Sequence, residues 1–388
     1  MLFDRNPKEK EEDMFNREEE ISILKGNIEK KISLNVITGF RRIGKTSLLQ
    51  TVLNPIEDKI IIDLRALAPK DSIAKSEIIG KFQTTINSFL SENANLKTTL
   101  KEAILRITGV SVLGTGIQFA SSKEIQVDLA GVLDELDNWA KAREKPIVLA
   151  LDEAQHFNKV KDFNMAEILA HIYDYCKNIV VILTGSEIGL LYNFLGKTRP
   201  NDARTKLQSK KFSDHALAGR AIDEIPLRRF SSEQSKEFLR EGFKQLGEEY
   251  ENEKDFDNII EKAVDKLGGI VGWLILFGIN CQPKDKFSEN IIPDVQKEGA
   301  DMAYGEFVHF LEKSKSAKRH ENIVKMLSKG EMSWTDIKKE LGDIEGTVIY
   351  DANVSNLIET LVDYGFIDFD SENKIYSIPD PLLVHHYS

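Results

Sequence analysis

The sequence predicts an α/β fold: a parallel-sheet core, then a helical unit, then a small unit of three helices and a hairpin. Three observations carry this. Short apolar strands alternate with helical segments over residues 1–230, the pattern of a parallel sheet with crossover helices. Residues 231–312 keep only the helical period. Residues 313–388 read as three short helices followed by two alternating strands, the composition of a winged helix.

Residues 1–14 are mostly charged and read as an extended or frayed segment. Residues 15–31 form a helix with Ile21, Leu24 and Ile28 on one face and Asn16 as its N-cap. The β-branched run 34–38 is a strand, and 47–53 opens a helix. Residues 59–64 are a second strand, and 71–106 are helical with a stripe at Ile73, Ile78, Phe82, Ile86, Phe89 and Leu90. The glycine-containing stretch 108–126 alternates as a hairpin would, with no legible function. A helix at 128–143 leads to the apolar strand 146–151, a helix at 163–176 to the strand 179–183, and a last short strand spans 222–227. Beyond it, Ser231 or Ser232 caps a helix to Leu246, a second helix covers 253–267, and Gly268-Gly269 separates a third. Residues 284–300 are a polar connector, and 301–311 are again helical. The C-terminal unit places helices at 321–328, 335–341 and 353–364 and strands at 366–369 and 374–378.

Chemistry concentrates where strands end. Gly39, Gly44, Lys45 and Thr46 fit G-x-x-x-x-G-K-[ST] between a strand and a helix, the setting in which backbone N–H groups cradle phosphates. In that pattern Arg42, Ile43 and Ser47 line the turn, Lys45 reaches the terminal phosphates, and the Thr46 hydroxyl holds Mg²⁺. Asp152 and Glu153 end the most apolar strand. The first carboxylate suits the same Mg²⁺, and the second suits a general base toward water. Thr184 and Ser186 end a neighbouring strand, where a hydroxyl can touch the γ-phosphate or the water. Arg41, Arg42, Arg220, Arg228 and Arg229 are candidates for the cation that meets transition-state charge, with Arg220 assigned to it. The basic segment 196–212 is either a solvated loop or a polyanion contact.

The composition bounds the partners. Across 388 residues, 41% hydrophobic and 30% charged residues describe a globular protein, and a net charge of −11 disfavours broad polyanion binding. Cys176 and Cys281 lie far apart, show no metal-ligand spacing, and read as buried thiols of a cytoplasmic protein. The longest uncharged run, 267–284, is broken by glycines and a proline and reads as a buried helix.

These motifs resemble the archaeal ATPases of the STAND group of AAA+-like P-loop NTPases, near the archaeal origin-recognition ATPases. The likeness includes Phe15, Arg17, Glu18 and Glu20 before the first strand, Gly39 to Leu48, and Leu151 to Gln155. It continues through Thr184-Gly185-Ser186, Leu217-x-Gly219-Arg220 and Gly268-Gly269-x-x-Gly272-Trp273-Leu274. The resemblance implies a five-stranded P-loop core, a helical lid and a C-terminal winged helix. It implies ATP and Mg²⁺ as ligands, residues 15–20 (Phe15 and Arg17 among them) near the adenine, and slow hydrolysis that switches lid and winged helix. Val271 stands where the lid motif usually has proline. The alternative is a DNA-binding AAA+-type ATPase reading duplex through the winged helix. Residues 347–369, which include the reader segment, carry no Lys or Arg, so a switch acting on a protein partner is the preferred expectation. Lys313, Lys315, Lys318 and Arg319 keep the DNA view open.

Overall fold

A computed structural model describes residues 1–92, 110–113, 116–119, 125–198, 214–247, 253–282 and 287–388. In chain order, α1 (Glu18–Glu29) leads to β1 (Leu34–Thr38), α2 (Lys45–Leu53), β2 (Lys59–Asp63) and α3 (Lys75–Glu92). A hairpin of β3 (Val110–Leu113) and β4 (Gly116–Phe119) follows, then α4 (Ile125–Arg143), β5 (Ile147–Asp152), α5 (Met165–Tyr175), β6 (Ile179–Thr184), α6 (Ile188–Phe194) and β7 (Asp223–Pro226). The rest comprises α7 (Ser232–Gln245), α8 (Glu253–Leu267), α9 (Val271–Asn280), α10 (Ile291–Lys313), α11 (Ala317–Leu327), β8 (Met332–Ser333), α12 (Trp334–Glu345), α13 (Asp351–Asp363), β9 (Asp368–Asp370), β10 (Ile375–Ser377) and α14 (Pro381–His386).

Five strands form one sheet in the order β2-β5-β6-β1-β7, every pair parallel. Strands β1, β5 and β6 are buried at every position, which is why they read as unbroken apolar runs. One face packs on α3, α4 and α5 through Phe82, Leu133, Leu136 and Leu169, and the other on α1 and α2 through Leu24, Leu48 and Val52. Because all strands run the same way, the turns after β1, β5 and β6 open on one edge, where ligands bind such sheets.

The lid helices and the winged helix share a single apolar core that includes Trp273, Phe307, Leu361 and Leu382. Three caps fix their ends. Ser231 and Gln234 form a capping box on α7, Ser333 and Asp336 another on α12, and Asp380 caps α14 while accepting a 3.0 Å bond from Trp273 Nε1.

Several expectations need correction. Residues 1–14 are not frayed: Leu2 and Phe3 are 2% and 4% exposed, with Phe3 edge-on to Phe238 and Phe243. A Cβ on Gly242 or Gly278 would lie 2.3 or 2.5 Å from the Phe3 ring, so those glycines make its slot. Two apolar residues among charges carry no periodicity, so the anchor is invisible in the sequence. The N-cap of α1 is Arg17, without a side-chain bond, and Asn16 precedes it at φ 53°. The expected connector and short helix at 284–311 are largely one helix, α10. Strand β8 and helix α14 were not foreseen. The stretches 93–106 and 199–212, read as helix and basic loop, lie outside the described residues. Among the described residues no helix is long and apolar enough to cross a membrane.

Candidate active site

The turn after β1 is held open by backbone geometry. Gly39 and Gly44 sit at φ 149° and 100°, and Arg42 at φ 61°. A Cβ on Gly39 would approach Leu227 O to 2.8 Å, so only glycine fits there. Gly44 is the N-cap of α2 and supplies no side-chain cap, leaving the first-turn N–H groups for another acceptor. Lys45 is 6% exposed and donates to Gly39 O at 2.8 Å and Phe40 O at 2.7 Å. Burial lowers its pKa to about 8 against the pull of Glu153 and Asp152.

The acidic pair faces this turn. Asp152 Oδ2 accepts from Thr46 Oγ1 at 3.4 Å, and Asp152 Oδ1 accepts from Thr184 Oγ1. Burial raises the Asp152 carboxyl, with the Thr184 bond opposing. Glu153 takes a left-handed backbone conformation, φ 58°, where its N–H donates to Thr184 Oγ1 at 3.1 Å. Such a conformation costs about 1–3 kcal/mol and clusters at functional sites. The Glu153 Oε2 atom accepts from Ser186 Oγ at 2.7 Å, Ser186 N at 3.2 Å and Gln155 Nε2 at 2.5 Å. Among the described residues no donor reaches Oε1. Burial pushes this carboxyl up, but Lys45 and the Gln155 and Ser186 bonds outweigh it, so its pKa lies below the usual value.

The loop and Glu153 line one cavity of about 1340 Å³ with residues of the lid and of the N-terminal segment. Its walls include Phe15, Arg17, Arg42, Ile43, Lys45, Thr46, Ser47, Glu153 and Ser186, and opposite them Val271, Gly272 and Glu306. Phe15 packs edge-on against Phe230 and Phe238. Arg17 donates to Arg228 O at 2.6 Å and lies over Phe230. Asp152 lies beneath the cavity, touching it through Thr46.

Not every candidate is there. Arg220 is paired with Asp174 and with the Ala216 carbonyl, near the end of α5 that leads into the start of β6. It does not line the cavity, which corrects its assignment to the reacting phosphate within this chain; an arginine on a loop can face either sheet edge, and the motif does not say which. Arg229 lies over Phe40 outside the cavity. Both strand-end hydroxyls, Thr184 and Ser186, are engaged by carboxylates. Arg41 and Arg42 are the loop arginines that do line it. Arg41 pairs with Glu187 at 3.2 Å and Glu306 at 3.1 Å, and Arg42 with Glu306 at 2.6 Å. Glu187, Glu306 and Arg65, which lies 3.7 Å from Asp152, went unnoticed in the sequence. Glu187 closely follows the β6 strand end and could have been flagged; Glu306, mid-helix and far along the chain, had no signal.

The residues fit a nucleoside triphosphate with Mg²⁺: a glycine turn with unspent N–H groups, a buried lysine that among the described residues bonds only to carbonyls, and a hydroxyl and a carboxylate converging at 3.4 Å. Residues 14–277 match the family described as an ATPase domain predominantly from Archaea. The chain belongs to this archaeal ATPase family. It is a nucleotide-binding P-loop ATPase, and it hydrolyses ATP. Beyond the ATPase domain, residues 313–378 match the C-terminal winged helix-turn-helix domain of MCM proteins. Among solved structures, the Walker-type ATPase PABY2304 of Pyrococcus abyssi is similar at TM-score 0.77 and 28% identity, covering 100% of this chain and 99% of that one. The ORC2 protein of Aeropyrum pernix, in ADPNP-ADP complexes, shares the fold at TM-score 0.58 and 14% identity, over 100% of this chain and 96% of that one. No curated protein matches the chain.

Proposed function

We propose that this ATPase is a nucleotide-operated switch of STAND type, in which the terminal phosphate sets the position of the lid and winged helix. One observation carries the reading: the loop arginines are held by the very elements that would move. Glu306 of α10 pairs with both. Arg42 also lies 4.3 Å from the Trp273 ring of α9, its carbonyl accepts from Gly272 N at 3.0 Å, and Arg41 lies 5.2 Å from the Phe366 ring. A γ-phosphate near Lys45 would compete with Glu306 and Glu187 for these guanidiniums and loosen the lid.

In this reading Gly39 to Ser47 cradle the phosphates, and Phe15 and Arg17 lie toward the base. Thr46 and Asp152 would hold Mg²⁺, which when bound would neutralise charge on the phosphate oxygens. Glu153 accepts the proton of the attacking water at Oε1, while Ser186 and Gln155 fix Oε2. Arg41 and Arg42 replace Arg220 as the arginines that meet charge on the reacting phosphate.

The duplex-reading alternative has less support. The face of α13 near Asp363 is occupied by the core: a Cβ on Gly189 of α6 would meet Asp363 Oδ1 at 2.1 Å, and Asn193 Nδ2 donates to Asp363 at 3.3 Å. Spin labels on the core and on the winged helix test the switch. Their distance distribution should differ between ADP and ATP in a Glu153→Gln background; identical distributions would remove the proposal. Glu306→Gln should tighten ATP binding about threefold, about 0.6 kcal/mol, modest because these pairs are partly exposed. Calorimetric titration measures this, and an unchanged or weakened affinity counts against the competition.

A further inference from the structure

The far edge of the sheet carries a cluster that the nucleotide chemistry does not use. Asp134 on α4, His171 on α5 and Cys176 just beyond α5 bring one oxygen, one nitrogen and one sulfur within 4.8 Å of one another. His171 Nε2 lies 2.7 Å from Asp134 Oδ1, and Cys176 Sγ lies 3.5 Å from the same oxygen. None of the three lines the nucleotide cavity. Cys176 sits three residues before β6, at the end of the strand opposite the cleft.

We propose that Asp134, His171 and Cys176 form a divalent transition-metal site, with Zn²⁺ as the fitting ion. The donor set argues for the class. A thiolate and an imidazole suit Zn²⁺ and its neighbours, whereas Mg²⁺ and Ca²⁺ take oxygen. Donors on a tetrahedral zinc, at bond lengths near 2.0–2.3 Å, stand about 3.3–3.8 Å apart. The Cys176–Asp134 separation already falls in that range, and a small turn of the Asp134 carboxylate opens the His171 pair. Charge also balances: one carboxylate, one thiolate and a neutral imidazole offset the two charges of the ion. On binding, the Cys176 thiol gives its proton to solvent and its sulfur lone pair to the metal.

Access and support differ among the ligands. Cys176 is 1% exposed, while the His171 and Asp134 side chains are 27% and 45% exposed, so the ion would enter from solvent and keep one position for water. The Tyr175 ring packs against His171, with centroids 5.0 Å apart, and helps fix the imidazole. Since the ligands come from two neighbouring helices, the metal would brace α4 against α5. Sequence spacing hid the site because its oxygen donor lies 37 residues before the histidine.

Cobalt(II) titration of the metal-stripped full chain, with Mg²⁺ in excess to saturate the nucleotide site, tests the proposal. One Co²⁺ per chain should bind with thiolate-to-cobalt charge-transfer absorption in the near ultraviolet, and Zn²⁺ should displace it. Cys176→Ser should abolish that absorption. His171→Ala and Asp134→Asn should each weaken binding at least tenfold, and Zn²⁺ should raise the melting temperature of the parent chain but not of His171→Ala. The parent band should persist in Lys45→Ala, which separates this site from the nucleotide site. Absence of the band in the parent chain, or unchanged affinity in both His171→Ala and Asp134→Asn, overturns the proposal. Those two positions are partly exposed, so the test stands even where Cys176→Ser fails to fold.

Discussion

Glu153→Gln will leave ATP affinity within a few-fold of the parent and lower hydrolysis by about 10²–10⁴-fold, the usual weight of a positioned general base. Glutamine keeps the shape, and its amide can still meet Ser186 and Gln155, but it offers no site for a proton. The effect should sit in the chemical step, because Glu153 touches the cavity without contributing to the phosphate turn. Single-turnover hydrolysis beside an equilibrium titration separates the two. The expected pattern is a collapsed rate constant with a preserved Kd; an unchanged rate constant would take the role of base away from Glu153. The lowered pKa adds a sign. Since Glu153 is ionised below the ordinary glutamate range, the base form persists as pH falls and is lost only when pH passes the lowered value. The acid limb of the rate profile should therefore lie below that expected for a free glutamate, and it should vanish in Glu153→Gln.

How far the sequence reached is best seen residue by residue. The glycine turn and the acidic pair were legible because each is local: a strand, a few residues of fixed type, and the next element. The parallel sheet was legible for a related reason, as strands buried on both faces leave no alternation to confuse with a surface. What failed was long-range. Glu306 meets Arg41 and Arg42 across more than 260 positions, and a glutamate within a helix looks like any solvated one. Phe3 filling a slot between Gly242 and Gly278 is the same kind of contact. Arg220 differs: Leu217-x-Gly219-Arg220 matched a family pattern, but within this chain the side chain pairs with Asp174 on the other edge. The metal-type cluster was missed because spacing rules look for ligands along one segment, whereas Asp134 is delivered by a different helix.

Lys45→Ala will weaken ATP binding about a hundredfold, about 2.7 kcal/mol, consistent with losing charge-assisted bonds to phosphate oxygens. At a nucleotide concentration a hundred times the parent Kd, thermal stabilisation of about 2.7 kcal/mol should fall to about 0.4 kcal/mol. The free protein should respond in the opposite direction. Lys45 is buried among loop carbonyls with its pKa lowered from 10.5 to about 8, so below pH 8 its charge costs up to about 3 kcal/mol of folding stability. That penalty is full while both folded and unfolded lysines are protonated, shrinks as pH rises from 8, and is gone above 10.5. Alanine removes it, partly offset by lost packing, so the ligand-free variant should melt no lower than the parent at pH 7. A variant equally stable but indifferent to ATP places the fault in binding and not in folding. The same shift predicts that parent affinity is greatest below about pH 8 and declines above it, a slope that Lys45→Ala should lack. Retained nucleotide stabilisation in the variant would mean that the buried ammonium does not meet the phosphates, and the reading of the cavity would fail with it.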